Sequence, residues 1–133
     1  MGALIDSSVL IAAERGALDL ESILREHRDT EFALSSMTAS ELLYGVHRAN
    51  TEARKVKREA FVEALLSSLP VISFDLVAAR AHARLWAKLA SKGDNVGQHD
   101  LIIGATAISR GLDVATRDTR SFPKIPGLSI LRW

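Results

Sequence analysis

The chain has 133 residues, 47% of them hydrophobic and 25% charged, with a net charge of +1 and no cysteine. That length fits one domain, residues 1–133, and the missing cysteines exclude disulfides, zinc–thiolate sites and thiol nucleophiles, leaving Asp, Glu and His as ligands for a hard metal. No apolar run approaches the roughly 20 residues that span a bilayer, and no basic start followed by an apolar stretch marks a leader, so no membrane partner and a cytoplasmic location are expected.

In chain order, ALID (3–6) reads as a short buried strand that carries a carboxylate, Asp6, at its end. Residues 7–28 read as mainly helical, and EFALS (31–35) as a second strand. A helix then begins near Thr38, and a longer one covers 52–69, with Phe61, Leu65 and Leu69 on one face and Pro70 as its stop. VISF (71–74) is a third strand. Asp75 stands as N-cap of the next helix, in which Val77, Ala81, Leu85 and Leu89 form an apolar stripe and Gly93 is the terminator. HDLIIGATAISRG (99–111) is apolar almost all round, as a helix buried on a sheet is; LDVAT (112–116) and LSIL (128–131) complete five strands. This alternation predicts an α/β fold, a mainly parallel sheet of about five strands with helices on both faces.

Ligands of such sheets bind outside the carboxyl ends of the strands. Four acids belong to that edge: Asp6 closing the first strand, Glu41 in the first turn or so of the helix after the second strand, Asp100 near the start of the buried helix and Asp118 two residues past the fourth strand. Each has a local alternative. Asp6 caps a helix, Glu41 closes a capping box with Thr38, Asp100 favours the positive end of its helix, and Asp118 makes an Asx-turn. Together they mean more, because converging carboxylates raise one another's pKa unless a cation neutralises them, and Mg²⁺ or Mn²⁺ suits an all-oxygen donor set. Carboxylates around a hard cation are the apparatus of phosphodiester hydrolysis. No G-x-x-x-x-G-K-[ST] loop, G-x-G-x-x-G fingerprint or Ser-His-Asp arrangement competes.

Basic residues cluster at 48–58 (Arg48, Arg54, Lys55, Lys57 and Arg58) and again from Arg110 onward. Such runs are ordinarily solvated helix faces, although the 54–58 group has the charge to follow an RNA backbone. His99 precedes Asp100, and Arg117 and Arg120 flank Asp118; each is either a groove residue or a structural one.

Taken together, LIDSSVLI, SSMTASELLYGVHRA, GQHDLIIGATA and VATRDTRSFPKIPGLSIL resemble PIN-domain ribonucleases, with the VapC-type toxins of bacterial toxin–antitoxin pairs as the nearest match over nearly the whole chain. The resemblance implies a PIN-like domain that cleaves RNA with Mg²⁺ or Mn²⁺, leaving a 5′-phosphate and a 3′-hydroxyl. It also implies three core acids at Asp6, Glu41 and Asp100, a variable fourth at Asp118, a helper hydroxyl at Thr116, and a role for Ser7 beside the first acid. Further implications are a homodimer and a small antitoxin that fills the groove. A non-catalytic PIN-like module that binds RNA or protein is the alternative. A phosphoacceptor receiver domain shares the layout, but the first strand supplies one Asp where that class uses a pair.

Overall fold

The computed structural model describes residues 2–133. Among them, five strands form one sheet in the order β3-β2-β1-β4-β5, and every pairing is parallel. The strands are β1 (Gly2–Ile5), β2 (Glu31–Ser35), β3 (Val71–Ile72), β4 (Asp113–Thr116) and β5 (Ile130–Arg132). Helices α1 (Ser7–Glu14), α2 (Leu20–Glu26), α3 (Ser36–His47), α4 (Glu52–Ser68), α5 (Leu76–Lys92) and α6 (Gln98–Ser109) fill the connections. The chain builds outward from β1 through β2 to β3, then crosses to the other side of β1 for β4 and β5. The crevice between β1 and β4 is therefore the point where strand order reverses, which is where open parallel sheets bind ligands.

Both sheet faces are buried, so neighbouring residues of one strand enter different cores. Leu4, Ala33 and Val114 pack with Leu85 and Leu89 of α5 and Ile103 of α6. Ile5 and Leu34 pack on the opposite side with Val9 of α1, Leu42 and Val46 of α3 and Val62 of α4. Gly104 lets α6 lie close to the segment before β5: a Cβ there would stand 2.7 Å from Ile125 Cδ1.

Several boundaries differ from the sequence expectation. Asp6 lies just outside β1 as the N-cap of α1, with its own N–H donating to Ala115 O at 2.9 Å, so it closes the sheet and opens a helix at once. The helical stretch 7–28 is broken at Gly16, whose φ of 77° belongs to the left-handed region that favours glycine. Helix α3 starts two residues earlier than expected because Ser35 takes the cap, its Oγ accepting from Thr38 N at 3.0 Å. Thr38 is consequently buried inside the helix and forms no capping box with Glu41, which falls in the second turn. β3 shrinks to two residues; beyond it Phe74 N donates to Ser36 Oγ at 3.3 Å instead of joining the ladder. β5 is shifted toward the C-terminus, beginning at Ile130. On α5 the buried stripe is Ala78, Ala81, Leu85 and Leu89, and Val77 is exposed. On α4 the fully buried side chain is Val62, with Phe61, Leu65 and Leu69 only partly covered. Asp75 and Gly93 cap α5 as expected, Asp75 Oδ1 accepting from Ala78 N at 3.0 Å and Gly93 adopting a φ of 71°.

Candidate acidic site at the strand-order reversal

Because Ile5 is in register with Ala115, Asp6 and Thr116 emerge side by side at the carboxyl ends of β1 and β4. Asp6 is only 3% exposed. Its Oδ2 accepts three hydrogen bonds: from Ser8 Oγ at 2.7 Å, from Thr116 Oγ1 at 3.0 Å and from Ser8 N at 3.3 Å. Each hydroxyl spends its single proton on the carboxylate, so its lone pairs are left to accept from the following loop. Ser8 Oγ accepts from Arg117 N at 3.1 Å, and Thr116 Oγ1 accepts from Asp118 N at 2.9 Å. The loop carrying the fourth acid is thus tied to the first acid through two hydroxyls. Oδ2 is saturated, and these bonds leave the other oxygen of Asp6 free.

Sequence reasoning singled out Ser7 beside Asp6, whereas the structure puts Ser8 in contact with it. The signal was present: the residue two places after an N-cap acid lends its backbone N–H to that acid, and a serine there adds a hydroxyl.

Glu41 and Asp100 are placed by two helices rather than by strands, Glu41 in the second turn of α3 and Asp100 in the first turn of α6. With Gly97, Gln98 and His99 they line a cleft of about 410 Å³. Burial pushes the Glu41 carboxyl above its ordinary range, and the charges of Asp6 and Asp100 add to the rise while His99 opposes it. Asp100 is raised in the same way, first by burial, then by Asp6 and Asp118, against relief from the Ser121 hydroxyl and His99. These electrostatic couplings join Asp6, Glu41, Asp100 and Asp118 in one site. Glu41 Oε1 is buried with no hydrogen-bond partner. Its Oε2 has only His99 Nδ1, at 3.5 Å, and that ring is mostly exposed.

Asp118 is half-buried, and its Oδ1 accepts from Arg120 N at 2.8 Å, the Asx-turn foreseen as its local alternative. Arg117 and Arg120 have exposed side chains; what each gives to the site is a backbone N–H. The basic group at 54–58 is divided: Arg58 is held by Glu14 and the Gly45 carbonyl, while Arg54 and Lys57 are exposed.

The donor set suits a hard divalent ion. A buried carboxylate oxygen without a partner is costly, and the raised carboxyls of Glu41 and Asp100 are relieved by a cation beside them. Among the described residues, no three Asp, Glu or His side chains already form a closed ligand group. An ion such as Mg²⁺ keeps several waters and takes one or two carboxylates directly, so it does not require a closed group of protein ligands.

The chain and its fold have known counterparts. Residues 3–128 match the PIN domain family. The chain is 34% identical over 131 residues to "Ribonuclease VapC1" of Rickettsia felis, covering 98% of this chain and 96% of that protein. It is 38% identical over 104 residues to the "tRNA(fMet)-specific endonuclease VapC" of Salmonella typhimurium, covering 78% and 76%. The crystal structure of DNA-bound VapBC from Salmonella typhimurium superposes with a TM-score of 0.90 at 30% identity, covering 100% of this chain and 98% of that one. The chain belongs to the PIN domain family, in its VapC ribonuclease group.

Proposed function

We propose that this protein is a metal-dependent endoribonuclease, the toxin of a toxin–antitoxin pair, with Asp6, Glu41, Asp100 and Asp118 as its catalytic and metal-binding acids. One PIN domain, residues 1–133, carries the whole site. The observation that carries this reading is the partnerless Glu41 Oε1 among mutually coupled acids at the β1/β4 reversal. A hard divalent cation, Mg²⁺ or Mn²⁺, supplies Lewis acidity and an activated water when bound. Asp6 would offer the oxygen that Ser8 and Thr116 leave unbonded, Glu41 its Oε1, and Asp100 its carboxylate. Thr116 fixes Asp6 and the Asp118 loop together and so positions the site without being a ligand.

The relatives support a first substrate class. One is a tRNA(fMet)-specific endonuclease, so transfer RNA is the first class to test here. VapBC complexes among the structural neighbours support a small antitoxin as partner, and a homodimer working in the cytoplasm completes the reading. No helix among the described residues is long and apolar enough to cross a membrane.

The decisive experiment incubates purified protein with total transfer RNA and maps the cut ends. Cleavage is expected with Mg²⁺ or Mn²⁺ and absent in chelator, and Asp6→Asn and Asp100→Asn each abolish it. Full activity in both variants would overturn the assignment.

A further inference from the structure

Next to the acidic cleft is a second cavity, of about 460 Å³, between α5 and the start of α6. Gln98 lines both, so the two spaces adjoin at the N-terminus of α6. One wall is aromatic: Trp86 stands 62% exposed, with the His82 ring 5.7 Å from it. Outside the cavity lining, the Phe74 ring packs edge-on against His82 at 5.6 Å. Leu101 forms part of the apolar floor, and Asp94, Asn95 and Gln98 provide one carboxylate and two amides at the edge. The loop bearing Asp94 and Asn95 is held in place, because Asp94 N donates to Leu89 O at 3.1 Å and Lys124 Nζ donates to Asn95 O at 3.3 Å.

We propose that this cavity is a base subsite, which takes an unpaired nucleobase of the RNA whose neighbouring phosphodiester lies at Asp6, Glu41 and Asp100. The proposal rests on the ribonuclease reading and adds where the strand goes. Exposed aromatic faces beside a cleft are how proteins hold splayed-out RNA bases, and the volume lies within the range of small-ligand sites. The lining has no Lys or Arg. Asp94 therefore repels a phosphate while accepting from the N–H groups on a base edge, which selects the base over the backbone.

The test uses Trp86 as its own reporter. The chain has two tryptophans, and the other, Trp133, is packed on Phe32 at 5.2 Å. Trp133→Phe combined with Asp6→Asn leaves Trp86 as the sole emitter in a protein that does not cut. Its emission is expected to be quenched by single-stranded RNA hexamers and to be indifferent to an abasic hexamer of equal charge or to inorganic phosphate. In the cleaving protein, Trp86→Ala should raise KM by about tenfold or more with a smaller change in kcat, since a stacked base carries roughly tenfold to hundredfold in affinity. Trp86→Phe should restore most of it, which a purely structural role at so exposed a position would not require. Unchanged KM in Trp86→Ala, with Asp6→Asn inactive, overturns the subsite and spares the ribonuclease. Emission blind to every hexamer, with Trp86→Ala sedimenting at lower mass, overturns it in favour of a contact between copies. If the unaltered protein cuts no RNA, the ribonuclease reading fails, and hexamer quenching still decides the subsite.

Discussion

The two halves of the acidic site are built differently. On the strand side, Asp6 is saturated at one oxygen by Ser8 and Thr116, which in turn hold the backbone of the next loop. On the helix side, Glu41 keeps a buried oxygen with no partner, and both Glu41 and Asp100 are pushed toward protonation. The first half is complete in the polypeptide; the second is completed only by something positive. A site arranged this way keeps its geometry without the ion and reserves the electrostatic gain for the moment of binding. Preorganisation and strain are divided between strand ends and helix turns.

The largest expected effect breaks the completed half. Asp6→Asn keeps shape and hydrogen bonds to Ser8 and Thr116 but gives up the charge, and RNA cleavage should fall by about 10³-fold or more, comparable to the loss in chelator. Excess Mn²⁺ should not restore it. Removing the supports instead, by Ser8→Ala or Thr116→Val, leaves the charge and loosens its aim. Losses of about 10- to 100-fold in metal affinity or activity are expected, because outer partners of ligands matter at that level. Those losses should shrink as Mn²⁺ is raised. A cleavage titration over metal concentration separates the two behaviours, and identical curves for Asp6→Asn and Thr116→Val would erase the distinction between charge and support.

The unfinished half should show itself in stability. The Asp100 carboxyl binds its proton more tightly in the fold than in the unfolded chain. Its stabilising contribution is therefore present in acid and lost as pH rises through the raised value. Asp100→Asn escapes that loss. In chelator at neutral pH its melting temperature should exceed that of the unaltered protein by a few degrees, and the difference should vanish toward the ordinary carboxylate range near 3.8. Added Mg²⁺ should reverse the order, because the variant loses a ligand and with it the stabilisation that binding gives. Melting curves at several pH values, with and without metal, check this; a variant less stable than its parent in chelator at neutral pH would contradict the strain.

How much of this was legible in the sequence depends on the range of the interaction. Strand alternation and the apolar runs placed all five strands and brought Asp6, Glu41, Asp100 and Asp118 to one edge, since topology follows from local pattern. Local competition between caps was not resolved: Ser35 and Thr38 are both good N-cap residues, and Ser35 prevails because β2 ends on it, moving Glu41 into the second turn. Val77 and Ala78 are both apolar, and a one-residue rotation of α5 decides which is buried; the close fit of α5 against α6 favours the smaller. Ser8 was missed in favour of Ser7 because its role depends on Thr116, 108 residues away along the chain. The Trp86 cavity has no linear signature, since α5 and the loop before α6 make it together.

The smallest effects concern the basic helix, where the same contrast between committed and free charge recurs. Arg58 Nε donates to Glu14 Oε1 at 3.2 Å and its Nη1 donates to the Gly45 carbonyl at 2.9 Å, joining α4 to α1 and α3. Arg54 has one exposed hydrogen bond, to Asn50 Oδ1 at 2.9 Å. Arg58→Ala should cost about 1 kcal/mol of stability, since the pair is only partly shielded from water, and Arg54→Ala should stay within about 0.5 kcal/mol. Neither should alter cleavage at a temperature where both variants are folded. A helix face that followed the RNA backbone would behave in the opposite sense: Arg54→Ala would lower affinity and flatten its dependence on salt, because each lost phosphate contact releases fewer counterions. Denaturant midpoints beside RNA affinity at two salt concentrations distinguish the cases. An Arg54 effect on affinity larger than the Arg58 effect on stability would move this helix from scaffold to binding surface.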